Sequence, residues 1–207
     1  MSEVRRINIA KKLASSLVIV LLGLFTSGIA GSIDVAAAKS ISIDPKPQLI
    51  EKYVTAAVKR VYKLEDVSVV CTNTSATQGA NGYVEYTDSE VLTTIRLDTQ
   101  KVCQPVAEYL GNPLDYNRDQ LAYAVEIIAH EASHVAWQDS NESNTECRAV
   151  QTAGLTAQKG LGLSDQDVSQ ITKTIKNYEM PADYQPGAEC RAGGQLDLGF
   201  DATAFRG

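Results

Sequence analysis

Histidine is scarce in this chain of 207 residues: there are two, and both lie between positions 128 and 135. Cysteine is scarce as well, with four residues and no C-x-x-C pair, so a cluster of cysteine ligands for a metal is not expected. The net charge is −6 and no basic run is interleaved with aromatics, which argues against nucleic acid as a partner. The composition, 44% hydrophobic and 21% charged, excludes a disordered or fibrous chain.

The length suits one hydrophobic core and is too short for two, so we expect a single domain over residues 48–198. Residues 1–38 have the features of a secretory signal peptide: a basic start, an apolar run over 13–30, and alanines of an A-x-A cleavage site. An uncleaved anchor helix is the alternative, since the run of about 18 residues is close to the spanning minimum. We therefore expect a secreted or extracellular protein, free of the membrane after cleavage, or a cell-surface protein if the segment is kept. A linker at 39–47 and a tail at 199–207 would flank the domain.

The cysteines fit export to an oxidising compartment. Their number is even and all four lie after the signal segment, so disulfides are expected rather than zinc ligation. Four cysteines allow three pairings. We expect the pairs Cys71–Cys103 and Cys147–Cys190, because pairing neighbours along the chain constrains each half of the domain separately. As a separate expectation, the protein is a monomer.

Hydrophobic periodicity predicts an α+β domain, in which a small antiparallel or mixed sheet packs on a helical bundle. The predicted helices cover residues 48–64, 100–110, 119–138, 142–159 and 164–178, and the predicted strands cover 67–71, 83–87 and 91–97. A polar loop is expected at 72–82, and an irregular tail held by Cys190 follows residue 180. Strand 91–97 is expected to be an exposed edge strand that could pair with an extended peptide.

The two histidines form an HExxH pattern with the glutamate between them, as His130, Glu131 and His134. Positions i and i+4 share one face of a helix, so both imidazoles can bind one metal ion. Glu131 would then deprotonate a water bound to that metal. The third ligand must come from a residue other than histidine, and Glu142 and Glu146 again have i, i+4 spacing. One of them can ligate the metal while the other accepts the outer N–H of a ligand histidine.

This pattern resembles the gluzincin branch of zinc metallopeptidases, in which an HExxH helix is followed by a glutamate ligand and often by an aspartate four residues later. Residues 142–149 are similar to the E-x-x-A-D-C-x-A stretch of the neutral zinc metallopeptidase family. The chain also resembles small secreted actinobacterial proteins that carry HEAxH, TECxAxQ and a C-terminal P-x-x-Y…ECRxGGxLDL. The resemblance to the two peptidase groups covers about 128–150. The resemblance to the small secreted proteins covers most of 115–198.

The resemblance implies a zincin-like fold and a secreted zinc metallopeptidase that hydrolyses a peptide or protein substrate through a zinc-bound water. His130, His134 and Glu142 would bind Zn²⁺, Glu131 would be the catalytic base, and Glu146 would support a histidine. Loop geometry favours the reverse, because Glu146 faces His134 more easily in a tight helical hairpin; both assignments stay open.

A tyrosine or arginine must stabilise the oxyanion, because no third histidine exists. Tyr184 is the first candidate, followed by Tyr178, Arg148 and Arg191. The alternative functions are a non-catalytic extracellular zinc-binding protein and a disulfide-linked interaction domain without metal.

Overall fold

A computed structural model describes residues 46–73, 80–86 and 90–200. The elements in chain order are α1 Pro47–Tyr62, β1 Ser68–Thr72, β2 Gly82–Tyr86, β3 Val91–Asp98, α2 Gln104–Gly111, α3 Arg118–Trp137, α4 Glu142–Leu155 and α5 Asp165–Lys176. Five α-helices and three strands therefore make up this part of the chain, a mixed α/β fold. The expected signal segment 1–38 lies outside the described residues, as do 39–45 of the expected linker and 201–207 of the expected tail.

The sheet is mixed, with the strand order β1–β3–β2. β3 pairs with β1 in parallel and with β2 in antiparallel orientation. The prediction that residues 91–97 form an exposed edge strand is therefore wrong, because β3 is the central strand. Its Val91, Ile95 and Leu97 are buried. An alternating pattern shows that a strand is half-buried, but it does not show which strands lie beside it.

The outer edge of β1 is covered by α1. The backbone N–H of Val69 donates to the hydroxyl of Thr55, and that of Cys71 donates to the carboxylate of Glu51, each at 2.9 Å. Side chains of α1 thus satisfy amide groups that an edge strand would otherwise leave open to another strand. The other edge of the sheet is β2, which lies beside α3.

Helix α3 is the centre of the fold. It begins after Asn117, whose side chain accepts a hydrogen bond from the backbone N–H of Gln120, and it ends at Gln138, which adopts the left-handed conformation. From Leu121 to Val135 the helix is buried on nearly every side. Small residues such as Ala124, Ala129 and Ala132 allow neighbouring elements to approach closely. Both histidines therefore lie inside the protein rather than on a solvent-facing stripe.

The remaining helices follow the sequence prediction with different ends. The segment predicted as one helix over 100–110 consists of a π-helical turn, Thr99–Cys103, followed by α2. The segment predicted as a helix over 142–159 consists of α4 followed by a π-helical turn, Thr156–Gly160. Of the predicted loop 72–82, Thr72 belongs to β1, Gly82 belongs to β2, and residues 74–79 lie outside the described residues.

Two disulfides, Cys71–Cys103 and Cys147–Cys190, link cysteines that are neighbours along the chain, the pairing predicted from the sequence. The first joins the end of β1 to the turn before α2. The second joins α4 to residues 178–200, which we call the C-terminal strap. Ser143 also holds the strap, because its hydroxyl donates to the carbonyl of Gln185 at 2.8 Å.

No helix within the described residues is both long enough and apolar enough to cross a membrane.

Candidate metal centre

Three potential ligand atoms meet where α3 and α4 pack together. Glu142 Oε2 lies 2.9 Å from His130 Nε2 and 3.3 Å from His134 Nε2, and the two Nε2 atoms are 3.1 Å apart. A tetrahedral ion with ligand bonds of about 2.0–2.1 Å holds its ligands about 3.3 Å apart. The triangle formed by His130 Nε2, His134 Nε2 and Glu142 Oε2 thus has nearly the size that one small metal ion requires. This group of residues could hold such an ion.

The outer nitrogens of both imidazoles have acceptors. His130 Nδ1 lies 2.9 Å from Glu146 Oε2, and His134 Nδ1 lies 2.6 Å from the carbonyl oxygen of Asp139. Each Nδ1 therefore carries a proton and donates it, which leaves the lone pair of each Nε2 facing the triangle. Two imidazole lone pairs and a carboxylate oxygen then converge, and such a set of acceptors requires a cation among them.

Without a metal, a proton takes that role. Burial alone would lower the pKa of His130, but its hydrogen bonds to Glu142 and Glu146 outweigh burial and raise the pKa to about 10. Hydrogen bonds from His130 and His134 lower the pKa of Glu142 to about 2. The metal-free site thus holds a charged imidazolium–carboxylate pair, and a metal ion must displace this proton when it binds.

Glu142 and Glu146 have different positions. Glu142 belongs to the triangle and its side chain is 38% exposed, whereas the side chain of Glu146 is 1% exposed and contacts the outer nitrogen of His130. The expectation from loop geometry that Glu146 faces His134 is wrong. Glu146 lies one turn deeper along α4 than Glu142, so it meets the histidine that lies one turn earlier on α3.

Glu131 is buried beside the two histidines. Burial raises the pKa of its carboxyl to about 7, although His130 and His134 act in the opposite direction. Its side chain lies against Gly82 of β2, where an alanine Cβ would be 2.7 Å from Glu131 Cγ and 2.9 Å from Ile127 Cγ2. β2 can approach α3 this closely because residue 82 has no side chain.

A cavity of about 420 Å³ opens onto this group. Its walls include residues of β2, α3, α4 and the C-terminal strap. Four glutamates, two histidines and four tyrosines line it, and its lining includes no lysine or arginine among the described residues: Glu126, Glu131, Glu142, Glu146, His130, His134, Tyr83, Tyr86, Tyr123 and Tyr184. The cavity is therefore acidic and walled by aromatic side chains.

Tyr184 is the candidate for oxyanion support that lines this cavity, with its ring centroid 5.5 Å from that of His130. The others have different contacts. The hydroxyl of Tyr178 donates to the carbonyl of Asp119, and the guanidinium of Arg148 pairs with Asp139 at 2.7 Å. Arg191 lies on the exposed end of the short turn at Cys190 and does not line the cavity.

Sequence reasoning missed three residues of the site. Glu126 lies one turn before His130 and is 4% exposed, and its i, i+4 relation to His130 was the signal that could have found it. The hydroxyl of Tyr86 lies 2.9 Å from His134 Nδ1. Gly82 fits against Glu131. Tyr86 and Gly82 come from a distant strand, so no local pattern links them to the histidines.

Glu126, His130 and Glu146 form a second group whose potential ligand atoms lie within 4.8 Å of one another. This group is fully buried and shares His130 with the first. Because Nδ1 of His130 faces Glu146 and donates to it, the imidazole has only Nε2 available for a metal. The group of His130, His134 and Glu142 is therefore the better candidate for the metal site.

No protein-family model matches the chain, and no curated protein or solved structure shows significant similarity to it.

Proposed function

We propose that the protein is a zinc-dependent metallopeptidase of the gluzincin type, with a zincin-like fold. The observation that carries the proposal is the triangle of His130 Nε2, His134 Nε2 and Glu142 Oε2, with each outer nitrogen held by an acceptor. Two neutral imidazoles and one carboxylate are the donor set of catalytic zinc sites that keep a fourth position open. The half-exposed Glu142 and the adjoining cavity leave that position accessible from solvent.

A zinc ion bound there would polarise a substrate carbonyl and acidify a water molecule. Glu131 would accept the proton of that water and pass it to the leaving amine. Burial of its carboxyl favours the protonated form, so Glu131 can hold a proton between taking it from the water and releasing it. Tyr184, whose ring lies beside His130 in the same cavity, would stabilise negative charge on the carbonyl oxygen by donating a hydrogen bond from its phenolic hydroxyl.

The substrate would be an extended peptide or protein segment beside β2. This strand lines the cavity through Gly82, Tyr83, Val84 and Tyr86, whereas the opposite edge of the sheet is covered by α1. An extended chain could form backbone hydrogen bonds along such a strand and bring its carbonyl to the metal. The strand that the sequence assigned to this role, β3, is central and cannot perform it.

The protein would act outside the cytoplasm. The signal-like composition of residues 1–38 and the two disulfides both favour an oxidising compartment.

The proposal is tested by comparing wild type with Glu131→Gln on casein and on a mixed peptide library. The variant keeps the shape of the side chain but cannot accept a proton. We expect it to bind one zinc per chain and to lose activity by about 10²- to 10⁴-fold. Glu108→Gln is the matched control, because Glu108 is exposed on α2 and contacts Gln104 rather than the site.

Equal turnover by wild type and Glu131→Gln would remove Glu131 as the base. Stoichiometric zinc binding without turnover of any peptide would instead favour the non-catalytic zinc-binding alternative. A wild-type protein that binds no zinc would favour a disulfide-linked interaction domain.

A further inference from the structure

The two carboxylate oxygens of Glu146 differ in their hydrogen bonding within the described residues: one accepts a hydrogen bond, and the other, which we call the orphan atom, accepts none. Its Oε2 accepts the Nδ1 proton of His130, whereas its Oε1 is buried and receives no hydrogen bond from an N–H or hydroxyl group of the described residues. A buried carboxylate oxygen without a donor is costly and rare in folded proteins. The orphan atom therefore indicates that a neighbouring group supplies a donor.

Glu126 is that neighbour. It lies on α3 one turn before His130, is 4% exposed, and brings a carboxyl oxygen within 4.8 Å of the ligand atoms of His130 and Glu146. Two carboxylates packed this closely in the interior repel each other unless one is protonated. Burial and the adjacent Glu146 raise the pKa of Glu126 well above its ordinary value, in agreement with a neutral carboxyl group.

We infer that Glu126 is a positioning residue that donates a hydrogen bond from its protonated carboxyl to Glu146 Oε1. The resulting chain runs from Glu126 through Glu146 to His130 and ends at the metal site, so the inference rests on the proposed zinc site and adds a residue to it. The donor keeps the carboxylate of Glu146 in the orientation that accepts the Nδ1 proton of His130. Nε2 of the same ring then keeps its lone pair toward Glu142 and His134.

The test compares wild type with Glu126→Gln and Glu126→Leu. The glutamine amide can donate a hydrogen bond to Glu146 Oε1 as a protonated glutamate does, whereas leucine fills the space and donates nothing. We expect Glu126→Gln to bind zinc within about threefold of wild type and Glu126→Leu to bind it about tenfold more weakly, measured by competition with a chromogenic chelator. Glu108→Leu, on the exposed face of α2, is the matched control for the loss of a glutamate.

Two results would overturn the inference. If Glu126→Leu binds zinc as tightly as wild type, the hydrogen bond has no positioning role. If Glu126→Gln binds as weakly as Glu126→Leu, residue 126 acts as a charged carboxylate and not as a donor. If Glu126→Leu does not fold, Glu126→Gln decides alone, since a tenfold loss of zinc affinity in that variant contradicts a donor role.

The metal-free protein gives a second readout that is independent of zinc. We expect the melting temperature of Glu126→Gln to equal or exceed that of wild type and that of Glu126→Leu to fall, because only leucine leaves Glu146 Oε1 without a donor. A wild-type protein that binds no zinc would overturn the proposed function, and these melting temperatures would then decide the inference. Equal melting temperatures for the two variants would contradict it.

Discussion

At the candidate metal centre, each imidazole uses both of its nitrogens. His130 donates from Nδ1 to Glu146 and His134 donates from Nδ1 to the carbonyl of Asp139, so the two Nε2 atoms face Glu142. The outer acceptors decide which nitrogen carries the proton, and they thereby decide which nitrogen is available to a metal. The roles of Glu142 and Glu146 follow from which nitrogen each of them faces.

Zinc affinity distinguishes these two roles. We expect Glu142→Gln to lose most of its zinc affinity, because it removes an anionic ligand. Glu146→Gln should lose about 10- to 100-fold, because a neutral amide oxygen replaces the charged carboxylate that accepts the Nδ1 proton of His130. Chelator competition at constant pH measures both affinities. A greater loss in Glu146→Gln would make Glu146 the ligand and contradict the assignment.

Gly82 tests how closely Glu131 must be held. An alanine side chain at 82 would collide with Glu131 Cγ and Ile127 Cγ2, and the pairing of Gly82 with Leu97 of β3 opposes a shift of β2 away from α3. We expect Gly82→Ala to retain zinc but to lower kcat by about 10²-fold on a peptide substrate, because the base is displaced. Gly154→Ala on α4 is the control, since its nearest contact, Thr172 Cγ2 at 3.3 Å, lies in no part of the site. An unchanged kcat in Gly82→Ala would contradict this close positioning.

The sequence was sufficient to nominate His130, Glu131 and His134, because their spacing is local to one helix. It could not separate Glu142 from Glu146, since that distinction depends on how deeply each lies in the interface between two helices. The i−4 spacing of Glu126 from His130 places both on one face of α3, but the approach of Glu126 to Glu146 depends on how α3 packs against α4. Gly82 and Tyr86 lie more than forty residues from the histidines along the chain, so only the tertiary fold shows their contact.

At the scale of elements, the ranges of the helices could be predicted and the order of the strands could not. The start predicted for the last helix, residue 164, is its N-cap, where the side chain of Ser164 accepts a hydrogen bond from the backbone N–H of Asp167. In contrast, β3 became the central strand although its sequence is as suitable for an edge. Strand order depends on packing against α1 and α3, which lie far from β3 in sequence.

The cap of α5 has a pH dependence of its own. Hydrogen bonds from the hydroxyls of Ser164 and Tyr116, each at 2.6 Å, lower the pKa of Asp167 below its ordinary value of 3.8. The contribution of these two hydrogen bonds to the free energy of unfolding is present above pH 3.8. It is lost as the pH falls through the lowered pKa of Asp167. We expect Asp167→Asn to reduce the free energy of unfolding by about 1 kcal/mol at pH 6.

Urea unfolding between pH 2.5 and 6 measures this difference, which should shrink at the acid end. Asp165→Asn removes a charge from the same turn without removing those two hydroxyl contacts, so it is the control. A difference between wild type and Asp167→Asn that does not change with pH would contradict the role of the hydrogen bonds.

At the scale of the whole molecule, the two disulfides have different neighbours. Cys71–Cys103 joins the sheet to the turn before α2, whereas Cys147–Cys190 holds the C-terminal strap beside the site. Cys147 follows Glu146 directly, and the strap contributes Met180, Pro181 and Tyr184 to the cavity. We therefore expect the second disulfide to contribute both to stability and to the shape of the cavity.

Paired cysteine-to-alanine substitutions separate these effects. Removing either disulfide should lower the free energy of unfolding by about 2–4 kcal/mol, since each closes a loop of tens of residues. Only the Cys147/Cys190 pair should also raise KM for a peptide substrate, because it releases the strap that carries Tyr184. Denaturant unfolding and steady-state kinetics measure the two effects. Equal KM values in both double variants would show that the strap does not shape the site.

We propose that His130, His134 and Glu142 together hold one zinc ion. Anomalous diffraction at the zinc edge, on crystals of the protein equilibrated with zinc, would locate that ion. We expect one peak per chain, about 2.0–2.1 Å from Nε2 of each histidine and from Oε2 of Glu142. The absence of a peak, or a peak bonded to Glu146 in place of Glu142, would contradict the claim.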